Sequence, residues 1–526
     1  MKWDVPEELS ERERKFIARL RRGGKFYVFL REIRRQLFDE AFQSELEAAY
    51  EKPRGTEPLP PALLATVVLL QAYEQASDFD AVENAAADLR WQLVLGCLGA
   101  EEAPFSQGVL SQFRARMAEH DLDKKLLERT VRLAKETGKF GWQHLKFALD
   151  SSPLLGAGRV EDTWNLIGRA LSTVVDCAAK VFKVPREQVL QEAKLTLLTG
   201  PSLKAALDID WEVEDEKAQA LQRLLAEADS LRAWVRQRTR GKAKEPLLEQ
   251  ALTDLRRVLA QDLEPDPSGS GRSVIRRAVA KDRMPSLGDK EMRHGRKSKA
   301  RVFNGYKRHI AMLPGKGLIV AATAVPANRP DHEAMEPLLD EAEQHGPTEA
   351  ALIDRGYLAS PRVEALRQAG KDVRCKPWPS RNQGRYTKED FVIDLERDEL
   401  TCPAGAKASI SPQSRMAHFP ATTCDVCPLR ANCTAARLGR GRSVSIHPQE
   451  ALLIELRQRR STPEGRGALR ERVHVEHALA KLGAVQGPRA RYKGVRRNIL
   501  DVRRCAAVVN LQAISRARAP QLQAAA

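Results

Sequence analysis

A chain of 526 residues is too long for one hydrophobic core, so roughly two to four domains are expected. Its 42% hydrophobic and 30% charged residues exclude wholesale disorder. The net charge of +17 points to a polyanion partner, nucleic acid foremost, against the plain alternative of a basic surface that only confers solubility.

The first stretch, "MKWDVPEELSERERKF", has no apolar run after its first basic residue and is not read as a secretory signal. No apolar stretch reaches the roughly 18 residues of a membrane span. The expected location is the cytoplasm, where the 8 cysteines stay reduced as thiols or metal ligands.

Residues 1–140 read as a helical N-terminal DNA-binding domain. "PPALLATVVLLQAYEQ" opens with Pro60 and Pro61, suited to a first helical turn, and repeats apolar residues at helical spacing. "DFDAVENAAADLRWQLVLGCLG" is expected as one further helix ending around Gly96 and Gly99. "FSQGVLSQFRARMAEH" starts at Ser106, a predicted N-cap, and carries Arg114 and Arg116. Short helices with a basic face suit a helix-turn-helix module or, equally, a plain bundle.

Residues 141–156 hold the first strand of the core, because Leu145, Phe147 and Leu149 alternate with His144, Lys146 and Ala148. This strand is expected to end on Asp150, with Ser151, Ser152 and Pro153 breaking it. A charged helical insertion follows over 157–272, with "EPDPSGSGRS" as an exposed loop. The core continues over 273–385. A hairpin turns at Pro314–Gly317, and a helix has Asp331 near its start and Gly346 at its end. An apolar strand, 350–353, ends on Asp354; a helix runs from Ser360 to Gly370, and a short strand lies in "KDVRCKPW". Residues 386–445 form a Cys-rich insertion. Residues 446–526 carry C-terminal core helices and a basic tail, one helix holding Glu476 and ending at Gly483.

Strands alternating with helices after a hairpin predict a mixed sheet flanked by helices, whose strand ends share a ligand edge. Asp150 and Asp354 both fall at such ends. Two neighbouring carboxylates raise each other's pKa or need a cation. Mg²⁺, or Mn²⁺ in its place, is the simplest, and two ions about 4 Å apart would serve an in-line displacement at phosphorus. Glu476 is the candidate third ligand. Taken singly, each acid is more often a turn residue or a solvated helix residue; the combination carries the reading.

"MRHGRKSKARVFNGYKRH" is the densest basic stretch. Arg293, Arg296, Lys297, Lys299, Arg301, Lys307 and Arg308 would neutralise phosphates, and Phe303 and Tyr306 would stack on bases or pack. The plain reading is a solvated basic loop. His309 is expected to be structural or a phosphate contact. Cys402, Cys424, Cys427 and Cys433 suit a closed tetrahedral zinc site, with irregular spacing, against the rival of reduced thiols without metal. Cys97, Cys177, Cys375 and Cys505 read as core residues.

The stretches "PPALLATVVLLQAYEQASDFDAVE", "LSQFRARM", "FALDSSPL", "DKEMRHGRKSKARVFNGYKRHIA", "VPANRPDHEAMEPLL", "ALIDRGY", "CDVCPLRANC" and "RERVHVEHALAKLG…YKGVRRN" span about residues 58–510 in order. As a set they resemble a bacterial insertion-sequence transposase of the DDE class, of the group eleven-eighty-two. The resemblance implies an RNase-H-like core and a catalytic triad of Asp150, Asp354 and Glu476 holding Mg²⁺. It adds Arg472, Lys481, Arg496 and Arg497 to the DNA-binding residues. Related enzymes carry tyrosine, arginine, glutamate and lysine on the last helix. This chain keeps Arg472 and Glu476, has Leu469 in the tyrosine's place, and its Lys481 comes early. The implied activity is Mg-dependent cleavage and strand transfer at terminal inverted repeats by a homodimer, with double-stranded DNA as partner and no membrane. A domesticated, catalytically inactive DNA-binding descendant and an RNase-H-like nuclease are the alternatives.

Overall fold

The computed structural model describes residues 1–50, 58–200, 202–240, 245–298, 300–378 and 380–523. Its centre is a mixed sheet in the order β4-β5-β1-β7-β8, with β6 paired to β5. These strands are β1 (Lys146–Leu155), β4 (Arg293–Arg296), β5 (Val302–Leu313), β6 (Leu318–Pro326), β7 (Ala350–Ile353) and β8 (Asp372–Cys375). Between β1 and β4 lie the short pair β2 (Leu263–Pro265) and β3 (Ser273–Ile275).

β1 sets the geometry of everything that follows. It pairs antiparallel with β5 along Ala148–Leu155 but parallel with β7 only along Lys146–Ala148. Beyond Ala148 its outer edge is therefore unpaired as far as Leu155, whose N–H reaches Pro488 O at 3.0 Å. Backbone alternation puts the nitrogens of Ser151 and Pro153 on that same outer side. Proline's missing N–H thus costs no ladder bond, so the strand runs through Pro153 instead of breaking at Asp150.

The two faces of the sheet are covered by helices that the apolar spacing of the sequence makes amphipathic. Helix Val495–Gln523 lies along β6 and packs on helices Leu122–Glu136 and Pro61–Glu74. One apolar core consequently runs from Trp3, Tyr27 and Trp91 through Phe147, Leu149 and Ile353 to Val508 and Leu511. Residues 163–263 build a second core around Leu171, Leu224, Leu231 and Val258. A third surrounds Phe391, Leu400 and Phe419, where β9 (Val392–Asp394), β10 (Glu399–Thr401) and β11 (Lys407–Ser409) form one small sheet. β12 (Met416–His418) and β13 (Ser443–Ser445) form another. No helix among the described residues is long and apolar enough to cross a membrane.

Several local expectations are corrected. The segment after Ser77 is two helices, Asp78–Ala87 and Leu89–Leu95, because Asp88 is extended and its side chain accepts from Arg90 N at 2.8 Å, capping the second. Arg114 is buried against Asp78 and Arg116 stacks 4.6 Å from the Tyr50 ring, so neither forms an open basic face. In the basic stretch, whose plain alternative was a solvated loop, Arg293–Arg296 form strand β4. Helix Val473–Gln486 passes through Gly483 and stops at Gly487, whose φ of +85° suits glycine.

Candidate active site

The β1–β7 register pairs Ala148 with Leu352. Extended by two residues, it brings Asp150 level with Asp354, both on the face that carries Ala148 and Leu352. β7 ends at Ile353, and Asp354 caps the 3₁₀ turn Arg355–Tyr357 by accepting from Arg355 N at 2.8 Å. The apolar residues Ala350–Ile353 are buried, which fixes the backbone that presents this carboxylate.

Helix Val473–Gln486 packs over the same face and starts at Arg472. The guanidinium donates to Asp150 Oδ2 at 2.7 Å and lies 4.0 Å from Asp354 Oδ1 and 3.7 Å from Glu476 Oε1. The three predicted acids thus converge on one arginine. Asp150 is the most enclosed of them, with its side chain 13% exposed against 44% for Asp354 and 59% for Glu476. Burial lifts its pKa to about 6. Arg472 and the Ser151 N–H oppose that rise, and the charges of Asp354 and Glu476 add to it.

These groups line an open cleft of about 880 Å³. Its wall holds Arg296, Lys297, Lys307, Arg308, Arg355, Lys376 and Arg472 against Asp150, Asp331, Asp354 and Glu476. The surplus of cations around the acids makes a positive rim with a negative floor. Arg308 is held by Ser152 Oγ at 2.7 Å, Gln486 Oε1 at 2.9 Å and Gly487 O at 3.1 Å, tying β5 and β1 to the helix that brings Glu476. A Cβ at Gly483 would lie 3.0 Å from Arg308, so glycine leaves space for the arginine there.

Other predicted residues are placed elsewhere. Tyr306 is fully buried and donates to Asp289 at 2.5 Å, so its ring is not open to bases; Phe303 is buried at the cleft wall. Arg293 is buried and bonds Asp282 at 2.7 Å. Arg496 reaches Asp121 and Asp123 on the N-terminal helices, at 3.0 and 3.1 Å, and acts there as a packing residue. Lys481 and Arg497 are exposed, and Lys481 lines a different surface hollow with His474 and His477. Arg301 is exposed beside Lys297, and Lys299 lies outside the described residues. His309 is buried and its Nδ1 shares a 2.7 Å hydrogen bond with the Tyr357 hydroxyl.

The four cysteines gather as their pattern implied, lining one pocket of about 240 Å³ with Phe391 and Phe419. Among the described residues, however, no group of three or more His, Cys, Asp or Glu side chains comes close enough to hold a metal ion. Burial pushes the Cys433 thiol up, and the neighbouring Cys424, Cys402 and Cys427 add to the rise. No zinc site is found among the described residues. The same finding covers the three carboxylates, between which the Arg472 guanidinium stands. Their chemistry still suits a hard divalent cation, because adjacent carboxylate oxygens each retain an open lone pair beside their single hydrogen bond.

Sequence reasoning had not assigned Asp331, Arg355 or Lys376 to the site. Arg355 was legible as the neighbour of Asp354; Asp331 and Lys376 carried no signal of proximity in the chain.

Two family models match. Residues 401–515 match "Transposase DDE domain", and residues 17–116 match "Transposase domain (DUF772)". No curated protein and no solved structure matches the chain. The two matches bracket the central strands and support an insertion-sequence transposase.

Proposed function

We propose that this chain is the transposase of an insertion sequence, with an RNase-H-like core, that binds the element's terminal inverted repeats, cleaves strands there and joins the 3′ ends to target DNA. The observation that supports it is the convergence of Asp150, Asp354 and Glu476 on Arg472, in a cleft with a cationic rim. Asp150, Asp354 and Glu476 would hold Mg²⁺ or Mn²⁺, which would lower the pKa of the attacking hydroxyl and neutralise charge on the leaving oxygen.

The chain's own residues do the rest. Arg296, Lys297, Arg355 and Lys376 line the cleft and draw the phosphate backbone across the acids. Arg472 keeps the three acids together before DNA arrives, offsetting part of their mutual repulsion. Above pH about 6 Asp150 is ionised and can serve as ligand or proton acceptor. The backbone N–H groups of Ser151 and Arg355 each fix one carboxylate oxygen, which orients the remaining lone pairs into the cleft. Two protomers would pair the two ends of the element.

The test is Asp354→Asn on DNA carrying the terminal repeats. End binding is expected to persist while cleavage and joining disappear. Cleavage at the wild-type rate by this variant would remove Asp354 from the site.

A further inference from the structure

Beside the three acids, the same cleft holds a second polar group, built from Ser151, Lys307 and Asp331. In β5, Lys307 and His309 alternate with Arg308 and Ile310 and pair with Pro153 and Ser151 of β1. Ser151, Lys307 and His309 therefore alternate with Asp150 and Arg308, and at the strand ends Ser151 and Lys307 still line the cleft. There Asp331, from the 3₁₀ turn Asp331–Ala334, meets three segments at once. Its Oδ1 accepts from Lys307 Nζ, and its Oδ2 accepts from Ser151 Oγ at 3.3 Å. It also presses on Gly356, where an added Cβ would lie 2.9 Å from Oδ2 and 3.1 Å from the Asp331 Cβ.

Those contacts fall on residues next to the two aspartates in the chain. Ser151 is the residue whose N–H fixes Asp150 Oδ1 at 2.8 Å. Gly356 lies two residues after Asp354, in the turn that Asp354 caps. Beyond Ala148, β1 has no strand partner on the β7 side, so no ladder holds the ends of β1 and β7 together at the level of the carboxylates. Asp331 supplies a bridge there.

We propose that Asp331 is a positioning residue that sets the spacing between Asp150 and Asp354, and that Gly356 is glycine so that this carboxylate can close on the turn. The inference rests on the transposase reading for the cation that the aspartates would take. The Asp331 side chain is 22% exposed and already engaged by Lys307, so it acts through Ser151 and Gly356 rather than as a ligand. Misplacing a first-rank group by about 1 Å is costly to a preorganised site, which is how a residue that only holds the neighbouring turns affects the chemistry.

The experiment measures Mn²⁺ binding to the full-length protein without DNA, by the loss of the free-ion paramagnetic resonance signal, beside end-DNA affinity and thermal melting. Asp331→Ala is expected to weaken Mn²⁺ binding about tenfold with end-DNA affinity within about twofold of wild type. Gly356→Ala keeps every charge and is expected to weaken it similarly, because the methyl displaces Asp331. In the double variant the methyl enters space that Asp331 has vacated, so the two losses are expected not to add. Asp331→Asn, close in shape, serves as the comparison should the alanine variant melt early, and a loss of Mn²⁺ binding is expected from it too.

Wild-type Mn²⁺ affinity in Asp331→Asn and Gly356→Ala, or losses that simply add in the double variant, would overturn the inference while leaving the transposase reading intact. A wild-type protein that neither binds Mn²⁺ nor cuts end DNA would overturn that reading and this inference together.

Discussion

Arg472→Gln tests the electrostatic core of the site. In the wild type Asp150 titrates near pH 6, with burial as the largest cause and Arg472 the chief opposing influence. Cation binding requires the ionised carboxylate, so Mn²⁺ affinity is expected to rise by about a decade per pH unit below the break at 6 and to level off above it. The guanidinium lies 2.7 Å from Asp150 Oδ2. Unit charges about 4 Å apart at an effective dielectric of about 20 interact by about 4 kcal/mol. The Arg472 side chain is 19% exposed and shares its charge with Asp354 and Glu476, so solvent and competition leave about 1–2 kcal/mol for Asp150 alone. At 1.36 kcal/mol per pKa unit, removing the charge moves the break from about 6 to about 7. Glutamine keeps a neutral donor, which separates the lost charge from a lost hydrogen bond. Titrating the DNA-free variant with Mn²⁺ between pH 5 and 8.5, read by calorimetry, gives the break directly. A break that stays at 6 or falls below it would refute the electrostatic assignment.

The same carboxylate gives a stability prediction of unusual sign. Its native pKa is above the ordinary value of 3.8, so the folded state holds the proton more tightly than the unfolded state. Stability from this group is present below pH about 4 and is lost as pH rises through about 6, by about 3 kcal/mol in metal-free buffer. Denaturation of Asp150→Asn beside the wild type should show this fall only in the wild type. Arg296→Ala with Lys297→Ala should lower the salt slope of DNA binding by about two, measured by titration at several ionic strengths. Asp123 is fully buried and pairs with Arg496 and Arg503, at 3.1 and 3.2 Å, so Asp123→Ala should cost about 1–3 kcal/mol by urea melting, Asp121 and Glu341 still partnering the two guanidinium groups.

What the sequence made legible was local. The apolar run ending on Asp354 named a buried strand with a carboxylate at its tip, and both are present. Asp150 was equally legible as an acid on an alternating strand, but the strand's length was not. Whether a proline ends a strand depends on which side its nitrogen faces, and that is a property of the pairing, not of the proline. The basic stretch shows the same gap. Charged residues at 293 and 496 were counted toward DNA, yet Asp282, Asp121 and Asp123, remote or unremarkable in sequence, neutralise them. A tally of basic residues overstates the positive surface by the number that find internal partners.

Asp331 shows where sequence reading stops altogether. It precedes a helix, as aspartates commonly do, and such a residue is ordinarily a capping group. Here no backbone N–H of its own turn takes the side chain; the bonds go to Lys307, 24 residues earlier, and Ser151, 180 residues earlier. Gly356 tells the same story from the other side. In the chain it reads as a turn glycine that lets the backbone leave the site. Its φ is not in the left-handed region, so conformational freedom is not what the position requires. The requirement is space for the Asp331 carboxylate. Asp331 therefore constrains the second residue after Asp354, and a site legible as three acids is built with a fourth carboxylate that meets both strand ends.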